Sequence, residues 1–418
     1  MRMTRRIALA IGAFLVLAVA VFLGRWYDMK RAVPQPSTDN AVINVTNAAD
    51  HGPGTLREAL FIAAAATRGT TIVVKIANLS VDSALPPLVS SHGVTVQAQS
   101  PGARIDARAL SGGPVFDIAG SNMSIEGLHI VNCPAAAVLV RAVRFRMEST
   151  SIESCDVGVD VAENASDTLI TGNQFSKNRL AVRFAAAGKN SAVNQNNFSQ
   201  DRDAGLWAVR GESGSRGDPL NVHDNHFSSE PTGIVAGNVP ILVERNEFSN
   251  MHEAAVHLVG ADAVVRGNRI SGGESMGVVV ENARGAVIDG NEIDGFKAYG
   301  IMVRGSANTL LRGNRLHNCG YGIAFVLGDS SAPSTAVENT IMEPKLNGID
   351  VLGDSPILRR NKVLRPHGVS LHVEGFQPPG GQKVLAHPFL DNNTFGAGGA
   401  DPAPVAGVTV GVEHRVSQ

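Results

Sequence analysis

The sequence is poor in aromatic residues and cysteine, and beyond its first residues it has no run of basic residues. Aromatic side chains make up 5% of the 418 residues, and there are three cysteines whose spacing gives no metal-site signature. The formal charge of −2 and the missing basic run argue against nucleic acid as a partner. No segment within the repeated part is long enough for a crossover helix, which excludes α/β and leucine-rich-repeat folds. Neither a metal nor another cofactor is predicted.

A short motif recurs instead: Asn, any residue, then a large apolar residue. Most steps between successive Asn are 21 to 25 residues, and two longer steps of 29 and 32 indicate loop insertions. Such a period predicts a solenoid, in which each repeat buries its apolar face against its neighbours. The motifs begin at Asn173, Asn196, Asn225, Asn246, Asn268, Asn291, Asn314, Asn339, Asn361 and Asn393.

A second signal lies between these motifs, where Gly precedes alternating apolar residues, as in Gly277-Val-Val-Val280 and Gly300-Ile-Met-Val303. A third apolar stretch, such as Val287-Ile288, precedes each Asn. Three short strands in about 22 residues make one coil of a parallel β-helix. The predicted fold is therefore all-β: a single-stranded parallel β-helix.

The repeated Asn has a structural explanation. Asn tolerates the left-handed backbone conformation that a sharp corner requires. Stacked at about 4.8 Å from coil to coil, the side-chain amides can also hydrogen-bond as a ladder. We interpret these Asn as structural, not catalytic.

These motifs resemble those of the right-handed parallel β-helix proteins over roughly residues 70 to 395. They are most similar to the repeat family called carbohydrate-binding proteins and sugar hydrolases, in the pectate-lyase-like superfamily. The resemblance implies a right-handed coil with substrate lying along one parallel sheet. Alginate epimerases of this fold carry Asp-Pro-His-Asp, whereas the nearest match here, Arg365-Pro-His-Gly368, lacks both acids.

The N-terminus has the composition of a signal or membrane segment. Arg2, Arg5 and Arg6 precede an apolar run from Ile7 to Leu23. Because the run continues past the only small-residue cleavage pattern, we favour an uncleaved anchor over a removed signal peptide. We expect a single-pass inner-membrane protein with its β-helix in the periplasm; the alternative is a soluble periplasmic or secreted protein.

We predict five segments from these patterns. They are the signal anchor or transmembrane segment (1–30), a linker (31–40), the N-terminal cap and first coils (41–130), the regular β-helix (131–395) and a C-terminal tail (396–418). Within the cap, Thr55 and Glu58 form a capping box, and Leu56, Leu60 and Ala63 share one face of a short helix. That helix should cover the open end of the first coil.

Two of the cysteines fall at equivalent positions. Cys133 and Cys155 each lie three residues after an inward apolar residue, Ile130 and Ile152. Stacked strands would hold their Cα atoms about 4.8 Å apart, within reach of a disulfide. A pair of buried free thiols is the alternative.

The strand that begins at Gly is the best candidate for a functional face. Its second residue after Gly should point outward, giving a column that reads Asp160, Arg183, Trp207, Val235, His257, Val279, Met302, Ala324, Asp350 and Ser370, beside a parallel column with Glu281, Arg304 and His372. Trp207 could stack on a sugar ring or pack under the loop that follows it. His257 could be a general base or a plain surface histidine.

From these columns we predict binding residues and no catalytic residue. The predicted substrate-binding residues are Asp160, Arg183, Trp207, His257, Glu281, Arg304 and Asp350. The predicted function is binding of an extended cell-surface polysaccharide or exopolysaccharide, with modification by a lyase, epimerase or hydrolase reaction left open. The alternative is a non-catalytic periplasmic scaffold that uses the sheet face to bind an envelope protein, because several residues of the column are apolar.

Overall fold

The computed structural model describes residues 41–99, 102–186, 188–210, 218–329, 331–377 and 381–396, with the backbone of 409–411. In this part of the chain, short strands pair in parallel with strands of the preceding and following coils. They form a right-handed β-solenoid of about 13 turns, which confirms the predicted fold. The predicted leader, the linker and nearly all of the tail lie outside the described residues. The segment boundaries therefore stay predictions.

The described strands form three parallel sheets. Sheet 1 contains Ala41–Val45, Thr70–Val74, Val94–Ala98, Met123–Glu126, Phe145–Glu148, Leu169–Thr171, Ala192–Asn194, Leu220–His223, Ile241–Glu244, Ala263–Arg266, Val287–Asp289, Leu310–Arg312, Thr335–Val337, Ile357–Arg359, Phe389–Asp391 and Thr409–Gly411. Sheet 2 contains Asn78–Ser80, Ala103–Asp106, Leu128–Val131, Ser151–Glu153, Gln174–Ser176, Asn197–Ser199, His226–Ser228, Glu247–Met251, Arg269–Gly273, Glu292–Phe296, Arg315–His317, Thr340–Met342, Lys362–Leu364 and Thr394–Phe395. Sheet 3 contains Phe116–Ile118, Ala136–Val140, Val157–Val161, Leu180–Phe184, Ala204–Val209, Thr232–Gly237, Ala254–Val259, Met276–Glu281, Tyr299–Arg304, Tyr321–Val326, Ile349–Leu352 and Leu371–Glu374.

The interior is filled by columns of like side chains. Phe175, Phe198, Phe227 and Phe248 are fully buried, and their rings stack nearly parallel with centroids 4.5–5.0 Å apart. Each phenylalanine lies two residues after a ladder Asn, so the sequence period is also the packing period. Such a column removes large apolar surfaces from water at every coil.

The asparagine ladder is confirmed. The Nδ2 of Asn268 donates to Oδ1 of Asn291 at 2.9 Å and to the carbonyl of Val243 at 3.0 Å. Its Oδ1 accepts from Asn246, one coil earlier. We predicted the left-handed backbone conformation at the ladder Asn, but the ladder Asn do not adopt it. It falls on the residue before each one: Gly172, Gln195, Asp224, Arg245, Gly267, Gly290, Gly313, Glu338, Arg360 and Asn392. Asn therefore recurs because its side-chain amide both donates and accepts hydrogen bonds, and not because of its backbone conformation.

The capping helix spans Leu56–Ala64. Thr55 is its N-cap and accepts from the backbone N–H of Glu58, while Glu58 Oε2 accepts from the N–H of Gly54 at 2.6 Å. The buried face holds Leu56, Ala59, Leu60 and Ala63. This arrangement supports the predicted capping box, with Gly54 in place of Thr55 as the second donor.

Cys133 and Cys155 form a disulfide between successive coils, with Cα atoms 4.2 Å apart. The register places Ile130 beside Ile152, as the sequence spacing indicates. The sequence spacing left open a disulfide or two buried free thiols, and the structure contains the disulfide. Cys319 is buried and unpaired.

Candidate functional site

The predicted column exists on sheet 3, and we call it the outer column, although its members Val279 and Ala324 are 2% and 0% exposed. Register pairs connect Asp160 to Arg183, Arg183 to Trp207 and so on through Val235, His257, Val279, Met302 and Ala324 to Asp350. Its next member is His372 and not Ser370, because Asp350 pairs with His372. The prediction was wrong by two residues at this coil. The last strand starts at Leu371, three residues beyond the Gly368 that marked its predicted start.

At the N-terminal end of the column, charged residues satisfy each other. Arg183 donates from Nε and Nη2 to the two oxygens of Asp160, both at 2.7 Å. The guanidinium is half-exposed, so the pair is worth little in stability. The structure brings these two predicted site residues together as an ion pair, which leaves fewer of their groups for a ligand.

Trp207 lies one coil further on and is 36% exposed. Beside it, Leu180, Ala204 and Val235 are buried in a small apolar cluster that is separate from the interior core, with Val209 packed against it. An exposed indole beside an apolar patch can stack on the face of a sugar ring or of another apolar group.

His257, Glu281 and Arg304 form a second charged group. The Nε2 of His257 lies 3.0 Å from Oε2 of Glu281, and Arg304 Nη1 lies 3.7 Å from Oε1 of the same carboxylate. From sequence, His257 has no acid in its own column. The acid comes from the adjacent column one coil later, a diagonal contact that the spacing alone does not show.

The most distinctive group of polar side chains on this face lies in its C-terminal third. Asp350 is only 4% exposed although it belongs to the outer column. Its Oδ1 accepts from Nδ2 of Asn347 at 2.9 Å. His372 Nδ1 is buried and lies 3.3 Å from the same oxygen, within ion-pair range but without the geometry of a hydrogen bond. Burial raises the pKa of the Asp350 carboxyl, while Asn347 and His372 act in the opposite direction.

Two tyrosines lie in the two coils that precede this acid. The rings of Tyr299 and Tyr321 stack with centroids 4.9 Å apart, and both are half-buried. Burial, followed by the charge of Asp350 and by Tyr321, raises the pKa of the Tyr299 phenol. We call Tyr299, Tyr321, Asn347, Asp350 and His372 the acid–tyrosine cluster. It combines an aromatic surface, a protonatable carboxyl and an imidazole, which are the groups needed for binding a sugar and for transferring a proton.

Sequence reasoning found only Asp350 of this cluster as a site residue. The missed signal was Tyr299-Gly-Ile and Tyr321-Gly-Ile, in which two of the three tyrosines of the chain precede the strand glycine in successive coils. Glu281 and Arg304 do lie in the adjacent column, but His372 does not; Glu374 has that place.

A different surface lies at the corner between sheets 1 and 2. Here an open groove of about 580 Å³ is lined by amides and charged groups, among them Gln174, Asn197, Asp224, His226 and Arg245. It lacks aromatic side chains, and Arg245 is already paired with both oxygens of Asp224 at 3.0 Å. Within the described residues, no group of three or more His, Cys, Asp or Glu side chains could hold a metal ion.

Stacked coils that form three parallel sheets define a parallel β-helix protein. In this protein, one outer face carries acidic, imidazole and aromatic groups. The family model for the right-handed β-helix region matches residues 63–217 and 212–363. The chain therefore belongs to the right-handed β-helix family. No curated protein sequence matches the chain.

Several solved structures share the fold. The tailspike protein of the E. coli bacteriophage HK620, solved as a double mutant, has a TM-score of 0.57 at 13% identity, over 84% of this chain and 76% of that chain. The A-module of the Azotobacter vinelandii mannuronan C-5 epimerase AlgE6 has a TM-score of 0.54 at 15% identity, over 86% of this chain and 100% of that chain. At these identities the likeness shows the fold alone.

Proposed function

We propose that this protein binds an extended polysaccharide along the outer face of sheet 3 and modifies it by proton transfer at the acid–tyrosine cluster. The observation that carries the proposal is Asp350, an acid 4% exposed on the outer column, held beside His372 and preceded by two coils with stacked tyrosines. Burying an acid there costs stability, which a purely architectural face would avoid.

The proportions of the face fit a long ligand. Six strand steps separate Trp207 from Asp350 along the outer column. At about 4.8 Å per step this is about 29 Å. An aromatic side chain at each end of that path would hold an extended chain better than a single small sugar. The mannuronan C-5 epimerase module, which shares the fold, is named for a polysaccharide substrate and agrees with a polysaccharide ligand here.

Proton transfer fits the cluster better than hydrolysis by two carboxylates. Asp350 and His372 lie within ion-pair distance of each other, and Tyr299 adds a phenol near the same acid. A lyase or epimerase reaction needs such an acid–base set. A glycosidase instead needs two carboxylates on either side of the scissile bond. Here the space between Asp350 and Glu374 is filled by the His372 imidazole, whose Nδ1 lies 3.3 Å from the first carboxylate and whose Nε2 lies 3.8 Å from the second.

The test starts with the full-length protein on a glycan array, followed by incubation with each bound polysaccharide and analysis of the product by NMR. Tyr299→Ala should weaken binding, whereas Asp350→Asn should keep binding and lose product. Asn197→Ala, at an exposed position of sheet 2, is the matched control. Binding without any product in the wild-type protein would leave a lectin-like role and contradict the catalytic part.

The scaffold alternative rests on the apolar cluster beside Trp207. Leu180, Ala204 and Val235 gather apolar surface outside the core, and Trp207 extends it into solvent. The three residues are themselves buried, so a protein partner would contact the exposed indole of Trp207 that lies beside them. A protein captured by the wild-type chain but not by Trp207→Ala, together with a blank glycan array, would favour this function.

Export and membrane attachment also belong to the proposal. They rest on the apolar run Ile7–Leu23 with its preceding arginines, and the Cys133–Cys155 disulfide suits an oxidising compartment. In the part of the chain that the structure describes, no helix is long and apolar enough to cross a membrane. Fractionation decides the matter: recovery in the soluble periplasmic fraction would refute the anchor.

A further inference from the structure

Two carboxylic acids are buried next to each other inside the solenoid, away from the proposed binding face. Asp201 and Glu230 are 1% and 0% exposed. They lie two residues after Ser199 and Ser228, which pair in register, so they occupy equivalent positions in successive coils. Both belong to the corner between sheets 2 and 3.

The pair has no basic partner in the part of the chain that the structure describes, and the two carboxyls are within hydrogen-bonding reach of each other. Within the same ranges, Asp201 Oδ2 and both carboxyl oxygens of Glu230 make no hydrogen bond of standard geometry. Asp201 Oδ1 accepts from the backbone N–H and Nδ2 of Asn178, one coil earlier, at 2.8 and 2.9 Å. An ionised carboxylate without a basic partner is strongly disfavoured in such a place, so the neutral form is favoured.

Among the described residues, no cation contributes to the pKa shift of either acid. The charged residues that follow in the chain, Arg202, Asp203, His252 and Glu253, are exposed to solvent. The pKa of Glu230 is raised by burial, by the charge of Asp201 and by hydrogen-bonding contact between the two side chains, and the backbone N–H of Gly205 acts in the opposite direction. The pKa of Asp201 is raised by burial, while hydrogen bonds with Glu230 and from Asn178 lower it. The stacked ring of Phe227 and the backbone of Gly205 complete the surroundings, since a side chain at Gly205 would reach within 2.5 Å of Glu230 Oε2 and 2.7 Å of that ring.

We propose that Asp201 and Glu230 form a proton-dependent lock on the coil that carries Trp207. While the two acids keep their protons, the corner stays closed against the strand Ala204–Val209. When they lose protons, two adjacent buried negative charges with no cation beside them favour local opening, in which the carboxyls reach water. The chemistry is a proton equilibrium alone and forms no covalent bond.

The direction of the pH effect follows from the two acids. Burial raises the pKa of Asp201 to about 7, and burial together with Asp201 raises the pKa of Glu230 well above its ordinary value. A raised pKa in the closed state means that the stability of the corner is fully present below about pH 4 and is lost as pH rises through the folded values. Opening should increase by up to about tenfold per pH unit for each carboxyl that ionises on opening.

Trp207 allows the opening to be measured without any ligand. The chain has one other tryptophan, Trp26, so Trp26→Phe makes Trp207 the sole fluorophore. In this background, fluorescence and hydrogen exchange of residues 201–209 are followed from pH 5 to pH 9. We expect exchange to accelerate with pH beyond its intrinsic rise, with a matching change in Trp207 emission.

Asp201→Asn with Glu230→Gln should abolish both responses. The double substitution should keep the fold, because the side-chain amide of Asn178 already makes the equivalent ladder contacts one coil earlier. Asp203→Asn, an exposed acid in the same turn, is the control and should retain the wild-type pH response. A flat wild-type profile, or an unchanged response in the double variant, would overturn the lock. Any effect on sugar binding rests on the function proposed above, but these two readouts do not.

Discussion

The Nδ2 of Asn196 lies 3.0 Å from Oδ1 of Asn225, one coil further along the solenoid. The same Nδ2 donates to the carbonyl of Ile170 at 2.9 Å, and the Oδ1 of Asn196 accepts from Asn173. Asn197, the next residue in the chain, is exposed on sheet 2. Two consecutive residues of one type therefore have different roles, which gives a matched pair for experiment.

Asn196→Ala should reduce the free energy of unfolding by about 1–3 kcal/mol, because it leaves buried donors and acceptors in both adjacent coils without partners. Asn197→Ala should change it by less than about 0.5 kcal/mol. Urea denaturation followed by circular dichroism measures both. Equal effects of the two substitutions would mean that the ladder contributes no more than a surface amide does.

The repeat made the fold and most of the outer column predictable from sequence. Successive coils are stacked in register, so the Gly and Asn positions fix the phase of each strand, and residues such as Asp160 and Arg183 could be paired by counting. Counting failed at His372, because the last strand of sheet 3 starts three residues beyond Gly368. Insertions at a corner change the register, and no local pattern shows their length.

The acid–tyrosine cluster and the buried acid pair were missed for a different reason. Tyr299 and Tyr321 precede the glycine at which we placed the strand start, so they were not assigned to a column. Asp201 and Glu230 look like ordinary turn residues in sequence. Their phase, equivalent to that of Cys155 and Asn178, indicates an inward position, but a charge at such a position is not normally expected.

The disulfide should stabilise the first regular coils. Cys133 and Cys155 close a loop with a sequence separation of 22. Chain-entropy arguments give about 3 kcal/mol for a loop of this size. Cys133→Ala with Cys155→Ala, or a reductant added to the wild-type protein, should lower the melting temperature. Cys319→Ala leaves the bridge intact, and that variant should keep its sensitivity to reductant. A melting temperature that ignores reductant in the wild-type protein would show that the thiols are not bridged in solution.

Trp207→Ala should weaken polysaccharide binding more than any single substitution on sheets 1 and 2. Trp207 is exposed beside an apolar patch, and an indole offers about 150–250 Å² of contact surface that its neighbours Arg183 and Val235 cannot replace. Isothermal titration with a polysaccharide identified on the array measures the loss, and Trp207→Phe should recover part of it. If Trp207→Ala binds as the wild type does, the ligand path does not include this end of the outer column.

Asp350→Asn should change thermal stability and turnover in opposite directions. Because burial raises the pKa of Asp350, the wild-type carboxyl is best accommodated at acid pH, and its contribution to stability is lost as pH rises through the folded value. Asn removes this ionisation but retains a side-chain oxygen for Asn347. The variant should therefore gain melting temperature relative to wild type as pH increases from 5 to 8, while it loses turnover of the bound polysaccharide. Asp160→Asn is the control: it breaks an exposed pair with Arg183 and should give no such pH-dependent gain. If Asp350→Asn is as destabilising at pH 8 as at pH 5, the neighbours of Asp350 stabilise its ionised form, and the carboxyl cannot act as the proton donor proposed here.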